Sequence, residues 1–118
     1  MAREELTVTQ ITREGAFHAV ATGVADGHKF LNDGRCFAIV QNADEDNPHT
    51  ITVISQKTVL GLPVGDKAVV IPKASTGHLI GPWPSDVFNA VSGTDEGMCY
   101  FDYEAGEHAH FSVTVYEL

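Results

Sequence analysis

The segment 35–41 constrains the fold more than any other part of the chain, because it is apolar on both of its alternating faces. Successive side chains of a strand point to opposite sides, and a strand with one wet face would alternate apolar and polar residues. The segment therefore predicts a central strand of a β-core that is covered on both sides. Its two faces are formed by Phe37 and Ile39, and by Cys36, Ala38 and Val40.

Two Asp-Gly pairs, Asp26-Gly27 and Asp33-Gly34, mark turns before this strand, and short apolar runs separated by turn residues follow it. No segment shows a convincing 3.6-residue period. This pattern predicts an all-β sandwich or barrel with seven or eight short, mostly antiparallel strands. A chain of 118 residues buries roughly two-thirds of its unfolded surface, so we expect one domain over residues 1–118. Residues 1–6 are expected to form an extended N-terminal arm.

A polar segment, residues 42–48, separates the central strand from a second alternating run, His49–Gln56. Two strands joined by a short polar connection commonly pair side by side. The sequence therefore predicts a hairpin between residues 35–41 and 49–56.

The chain carries 16 acidic and 7 basic residues, a net charge of −9. Binding to nucleic-acid phosphates requires a dense basic face, so we expect no nucleic-acid partner. No apolar run approaches the roughly 20 residues of a membrane span, and residues 1–5 do not resemble a secretory signal, so we expect no membrane partner and synthesis in the cytoplasm. All Lys and Arg residues lie at or before Lys73. The acidic remainder suits either a basic partner or a solvated face.

Cys36 and Cys99 both lie in apolar, strand-like runs. Without a secretion signal, free buried thiols are the expected state. A disulfide would require the two strands to be neighbours, which the sequence does not decide.

Two segments contain metal-ligating residue types. His108-Ala109-His110 would place two imidazoles on one strand face near Glu104 and Glu107, similar to the His-x-His motif of cupins, but the further ligands of that motif are missing. The acids and amide of the segment 44–47 lack the spacing of an EF-hand loop. We therefore expect surface histidines and a solvated turn, with no metal and no cofactor.

No sequence pattern of catalysis is evident: the chain contains no Gly-x-Ser-x-Gly elbow and no Gly-rich phosphate loop. Asp102 and Glu104 lie two residues apart, which is also typical of the wet face of an edge strand. The protein is therefore predicted not to be an enzyme.

Trp83, the only tryptophan, lies between Pro82 and Pro84. Because prolines restrict the backbone, the ring would lose little entropy on binding, which suits an interface anchor. Alternatively, Trp83 closes one end of the core with Phe88 as its partner. Both interpretations stay open at this point.

Several short motifs distributed over most of the chain resemble those of one protein family. They are Asp26-Gly27-His28-Lys29-Phe30, Asn32-Asp33-Gly34-Arg35 with Gln41-Asn42, Ile80-Gly81-Pro82-Trp83-Pro84, Val87-Phe88-Asn89 and Val113-Thr114-Val115. The sequence resembles the small capsid decoration proteins, or head cement proteins, of tailed bacteriophages. The N-terminal residues and the segment 44–47 are not part of the resemblance.

The resemblance implies a jelly-roll-like β-sandwich without catalysis, present in many copies on the virion. It predicts a homotrimer that binds the major capsid protein on the outer capsid surface and stabilises the head. Contacts are expected from an arm with Arg3, Glu4 and Glu5, and from Pro82, Trp83 and Phe88. The alternatives are a carbohydrate- or receptor-binding module and a head–tail or tail component.

Overall fold

The computed structural model describes residues 3–15, 20–56, 58–63, 65–91 and 93–118, and these residues form mainly short strands. A helical turn, α1, and a 3-10 turn complete the described elements, and neither could cross a membrane. The elements are β1 (Glu4–Glu5), β2 (Thr9–Gln10), β3 (Ala21–Thr22), β4 (His28–Leu31), β5 (Cys36–Asn42), β6 (His49–Ile54), β7 (Thr58–Val59), β8 (Leu62–Pro63), β9 (Lys67–Ile71), β10 (Ser75–Ile80), α1 (Ser85–Phe88), β11 (Met98–Tyr103), the 3-10 turn (His108–His110) and β12 (Phe111–Glu117).

Ten of the twelve described strands form two mixed sheets that pack into one globule. The first sheet has the order β1-β4-β11-β6-β9, and the second has the order β10-β5-β12-β2, with β3 also paired to β12. The pairs β1/β4 and β12/β2 are parallel, and the other described pairings between these strands are antiparallel. The prediction of an all-β fold is confirmed. The described residues form twelve strands rather than seven or eight, because five of the twelve have only two residues.

β5 lies inside the second sheet between β10 and β12, as the apolar segment 35–41 predicts. Its inner face is fully buried, whereas Phe37 and Ile39 on the outer face are only half-buried. The Phe37 ring is covered by Tyr116 of the neighbouring strand, with 5.7 Å between ring centroids. The prediction that both faces of this strand are covered is therefore wrong for the outer face, which is shielded only by cross-strand pairs.

The predicted hairpin between residues 35–41 and 49–56 is wrong. β5 belongs to the second sheet and β6 to the first, so residues 43–48 carry the chain from one sheet to the other. Both strands have one buried and one partly exposed face. Two such strands can bury their apolar faces side by side or across the core, and the sequence pattern is the same in both cases.

The core lies between the sheets and is rich in aromatic residues. Phe30 on β4 and Phe101 on β11 are fully buried, with 5.0 Å between their ring centroids. Cys36 in the second sheet and Cys99 in the first are both buried and free, as predicted. Burial raises the pKa of Cys99 to about 12, so the thiol packs as a neutral apolar group.

Residues 3–6 lie against the first sheet and do not project from it as an arm. The backbone N–H of Leu6 donates to the Lys29 carbonyl at 2.7 Å, and the Arg3 guanidinium donates to the Phe101 carbonyl at 2.9 Å. Gly27 permits this arrangement, since a Cβ atom there would overlap Arg3 and the Phe101 carbonyl oxygen. Met1 and Ala2, the start of the predicted arm, lie outside the described residues.

Candidate functional site

The residues predicted to contact partners fall into two groups in the fold. Arg3, Glu4 and Glu5 lie at the β1 edge of the first sheet, where both glutamates are exposed. Pro82, Trp83 and Phe88 lie in the connection after β10, on the side of β9, the other edge of that sheet. The two groups share one neighbour, since the Arg3 guanidinium donates to the Phe101 carbonyl and the Trp83 ring packs on the Phe101 ring.

Pro82, Trp83 and Phe88 line a groove of about 440 Å³ between the edge strands β9 and β10. Val69 and Leu79 contribute to its walls, so the lining is mainly apolar. Only 4% of Trp83 is exposed, and its ring packs on Phe30 and Phe101 with centroid distances of 5.4 and 5.3 Å. Trp83 therefore closes one end of the core, as the second interpretation of its sequence context describes, and the exposed Pro82 is the better placed for contact.

Asn32, directly after β4, fixes the backbone beside this groove through hydrogen bonds to Trp83 and Asn89. Its side-chain amide donates to the Trp83 carbonyl at 3.0 Å and to Asn89 Oδ1 at 2.8 Å, and Asn89 Nδ2 donates to the Asn32 carbonyl at 2.6 Å. Asn32 is itself buried, so these bonds replace contacts with water. Sequence reasoning noted both asparagines only as parts of a resemblance and missed their mutual hydrogen bonds.

β7 and β8 form a two-stranded antiparallel ribbon, here called the apolar ribbon, between β6 and β9. Its turn exposes 98% of Leu60, and Leu62 is 70% exposed. Val59 is also exposed, and a side chain at Gly61 would meet open space. Exposed apolar residues at a turn are the pattern that a surface contact would produce.

A second group of side chains, here called the histidine cluster, lies where two connections cross between the sheets. Its members are Asp44, His49, Glu104, Glu107 and His110. Asp44 follows β5, His49 begins β6, and His110 immediately precedes β12, so both sheets contribute to it. The sequence draws attention to Asp44 and to His110 in separate motifs. His49 carries no local motif and was missed.

The two imidazoles of the histidine cluster stack at 5.2 Å with an angle of 14° between their planes. His49 Nε2 lies 2.7 Å from Asp44 Oδ2 and 3.6 Å from Glu107 Oε2. His110 Nε2 lies 3.2 Å from the same Glu107 oxygen and 3.9 Å from the same Asp44 oxygen. Two ring nitrogens and two carboxylate oxygens therefore converge on one point.

Hydrogen bonds fix the orientation of His49 and its carboxylates. The second ring nitrogen of His49, Nδ1, lies 3.1 Å from Glu104 Oε2, and Glu104 Oε1 accepts the Thr50 backbone N–H at 3.0 Å. The Asp46 backbone N–H and then His49 lower the pKa of Asp44 to about 2. The hydrogen bond from Thr50, followed by that from His49, lowers the pKa of Glu104, and the bond to Asp44 is the largest cause of the raised pKa of His49.

The prediction that His108 and His110 share a strand face is wrong, because residues 108–110 form a 3-10 turn before β12 begins. Only His110 joins the histidine cluster. The segment 44–47 does form a turn, in which Asp44 Oδ1 accepts the backbone N–H groups of Asp46 and Asn47. The other carboxylate oxygen of Asp44 stays directed at the histidines.

No family model, curated protein or solved structure matches the chain.

Proposed function

We propose that the protein is a non-enzymatic structural component of a tailed-phage virion, a decoration protein that binds the major capsid protein on the outside of the head. The proposal rests on the sequence resemblance and on one structural observation, the apolar ribbon. Leu60 and Leu62 lie exposed at its turn. Burying such apolar side chains against a partner lowers the free energy, because it removes their surface from water. The partner is then a capsid subunit with an apolar depression.

The position of the apolar ribbon supports a contact with a large surface. β6 ends at Ile54 and β9 begins at Lys67, and the ribbon lies between them in the chain. Lys67 also lines the groove formed with Pro82 and Phe88. The ribbon and the groove therefore offer apolar surface at the same end of the domain. Burying two leucines contributes roughly 3–6 kcal/mol before the costs of association.

A cyclic trimer and a jelly-roll connectivity are further parts of the proposal. A ring of three requires two different complementary patches on each protomer. The β1 edge presents the exposed acids Glu4 and Glu5, while exposed Lys67 and Lys73 lie on and just after β9 at the other edge. Opposite charges on opposite edges suit such a head-to-tail contact. Three linked protomers would bridge neighbouring capsid subunits through several weak contacts acting together.

The first test is the number of copies per particle, measured by quantitative mass spectrometry of virions from the phage that encodes the protein. Hundreds of copies in fixed ratio to the major capsid protein are expected. A dozen copies or fewer would point to the portal or tail, and absence from virions would overturn the proposal. Light scattering of the purified protein should give the mass of a trimer. The mass of a monomer would rule out the proposed cyclic trimer.

The contact itself is tested by adding purified protein to capsids that lack it. We expect the double substitution Leu60→Ser and Leu62→Ser to weaken binding at least about tenfold, because the lost apolar burial exceeds 1.4 kcal/mol. Val91→Ser is the control, since Val91 is 77% exposed but lies outside the apolar ribbon. Equal binding by both variants would show that the ribbon is not the contact.

A further inference from the structure

We propose that the histidine cluster is a structural site for a divalent transition-metal ion of the zinc type, bound by Asp44, His49, Glu107 and His110. The proposal is independent of any role on a capsid. It concerns the isolated chain, and its four ligands come from residues that the sequence patterns place in separate motifs or in none.

The geometry fits tetrahedral coordination. One ligand atom from each of the four residues lies within 4.8 Å of all the others. In a tetrahedral zinc site the ligand atoms lie about 2.0–2.2 Å from the metal, and therefore roughly 3.3–3.6 Å from one another. The four nitrogen–oxygen distances here are 2.7, 3.2, 3.6 and 3.9 Å, which bracket that spacing. A metal at the centre would require only small shifts of side chains.

The surroundings of His49 supply the outer support that metal-bound histidines need. A ligating imidazole usually donates its second N–H to a carboxylate, which fixes the ring and raises its basicity. His49 Nδ1 lies 3.1 Å from Glu104 Oε2, while its Nε2 is left to face Asp44 and Glu107. The ring is only 6% exposed and packs near Phe111, so its orientation is set by the fold.

The same cluster is accessible from one side. The side chains of Glu107 and His110 are 35% and 41% exposed, whereas those of His49 and Asp44 are largely buried. An ion can therefore reach the cluster from solvent without opening the core. Because imidazole nitrogens are poor ligands for calcium and magnesium, the mixture of two nitrogens and two carboxylate oxygens favours zinc over those ions.

The position in the fold assigns the ion a structural role. Asp44 lies on the connection from the second sheet to the first, and His49 begins β6 at the end of that connection. Glu107 and His110 lie on the connection from β11 back to β12. A metal bound by all four would cross-link the two connections at one end of the domain. Metal that binds only the folded chain stabilises it by mass action.

The test uses the full, untagged chain, because a polyhistidine tag would itself bind zinc. After treatment with a chelator, the protein is titrated with zinc chloride by calorimetry, and thermal unfolding is followed in parallel. We expect one ion per chain, and an unfolding midpoint raised by roughly 10 °C at zinc concentrations near 100 times the Kd. Calcium and magnesium chloride at the same concentrations should leave the midpoint unchanged.

Matched substitutions locate the site. His110→Gln and Glu107→Gln, on partly exposed side chains that can change without unfolding the chain, should weaken zinc binding at least about 100-fold. Glu104→Gln should weaken it roughly 10- to 100-fold through the orientation of His49. His108→Gln and Glu45→Gln, neighbours outside the cluster, should leave affinity unchanged.

Absence of stoichiometric zinc binding would overturn the proposal. The histidine cluster would then be only a set of contacts between histidines and carboxylates. Equal loss of affinity in His108→Gln and His110→Gln would also overturn it, because binding would then be scattered over surface histidines.

Discussion

At one end of the domain, here called the tryptophan end, Trp83 closes the core by packing on Phe30 and Phe101. At the other end, here called the histidine end, the connections that cross between the sheets are joined by the ionisable side chains of the histidine cluster. The tryptophan end gains its stability from apolar burial, which varies little with pH or metal. The histidine end depends on protonation and on bound ions, so it is the part of the fold that solution conditions can change.

A buried asparagine holds the backbone at each end in the same way. Asn32 Oδ1 accepts the Gly34 N–H, and Asn42 Oδ1 accepts the Asp44 N–H, both at 3.0 Å. Asn42 Nδ2 donates to two carbonyl groups, those of Asn47 and Ile71. At both ends an asparagine side chain therefore accepts a backbone N–H group two residues further along the chain. The two ends differ in the side chains that this backbone positions.

The largest expected effect is at the tryptophan end. Replacing the ring in Trp83→Ala should lower the free energy of unfolding by about 3–5 kcal/mol, because it leaves a cavity against two core rings. Urea unfolding of the purified protein measures the loss. Leu79→Ala, in the same groove but largely exposed, should change stability by no more than about 0.5 kcal/mol. A small effect of Trp83→Ala would show that the ring is not part of the core.

Much of the fold could be predicted from the sequence, because strand content depends on local alternation. The segments that became β5, β9, β11 and β12 all stand out as apolar runs bounded by turn residues. The assignment of strands to sheets could not be predicted in the same way. The chain after β5 could turn back within one sheet or cross to the other, and only the packing of the complete core selects the crossing.

The second prediction separates the two asparagines. Asn32→Ala and Asn42→Ala should each lower stability by about 1–3 kcal/mol, because each leaves buried polar groups without their partners. Only Asn42→Ala should also weaken zinc binding, roughly tenfold or more, because Asn42 fixes the backbone of Asp44. Urea unfolding and zinc titration below the unfolding temperature measure the two effects.

Asn32→Ala serves as the control for the zinc measurement, since it removes hydrogen bonds of the same kind at the other end. If it weakened zinc binding as much as Asn42→Ala, the loss would reflect general destabilisation. The inference that zinc binding depends on the histidine end alone would then be wrong.

The histidine cluster shows why the sequence was less informative about the site. Asp44 and His110 each stand in a short motif that is incomplete on its own, and each motif taken alone predicts a surface position. His49 stands at the start of a strand with no other ligand type directly beside it. Its contacts with Glu104 and Glu107 span more than fifty residues and exist only because β6 pairs with β11. Ligands that come from separate connections cannot be recognised by spacing along the chain.

The smallest expected effect comes from the buried histidine His28. His49 lies among carboxylates, whereas His28 on β4 is fully buried, with Nδ1 2.5 Å from Tyr103 Oη and no hydrogen-bond partner for Nε2 among the described residues. Burial lowers the pKa of His28, and the charge of Glu4 offsets this only in part. As the pH falls below about 6.5, the unfolded chain takes up a proton that the folded chain resists. The contribution of His28 to stability is therefore complete above that pH and is lost as the pH falls toward its lowered folded pKa.

Urea unfolding at pH 7.5 and pH 5.5 tests this prediction, with His28→Gln as the reference and chelator present throughout. The wild-type protein should lose more stability between the two values than His28→Gln does, because titration of His49 and of the carboxylates is common to both proteins. The difference should be smaller than the effect of either asparagine substitution. An equal loss in both proteins would mean that the pKa of His28 is the same in the folded and the unfolded chain. Its side chain would then be more accessible to water than its contacts indicate. A larger loss in the wild-type protein would show that His28 stabilises the folded chain in its neutral form and that acid removes this stabilisation.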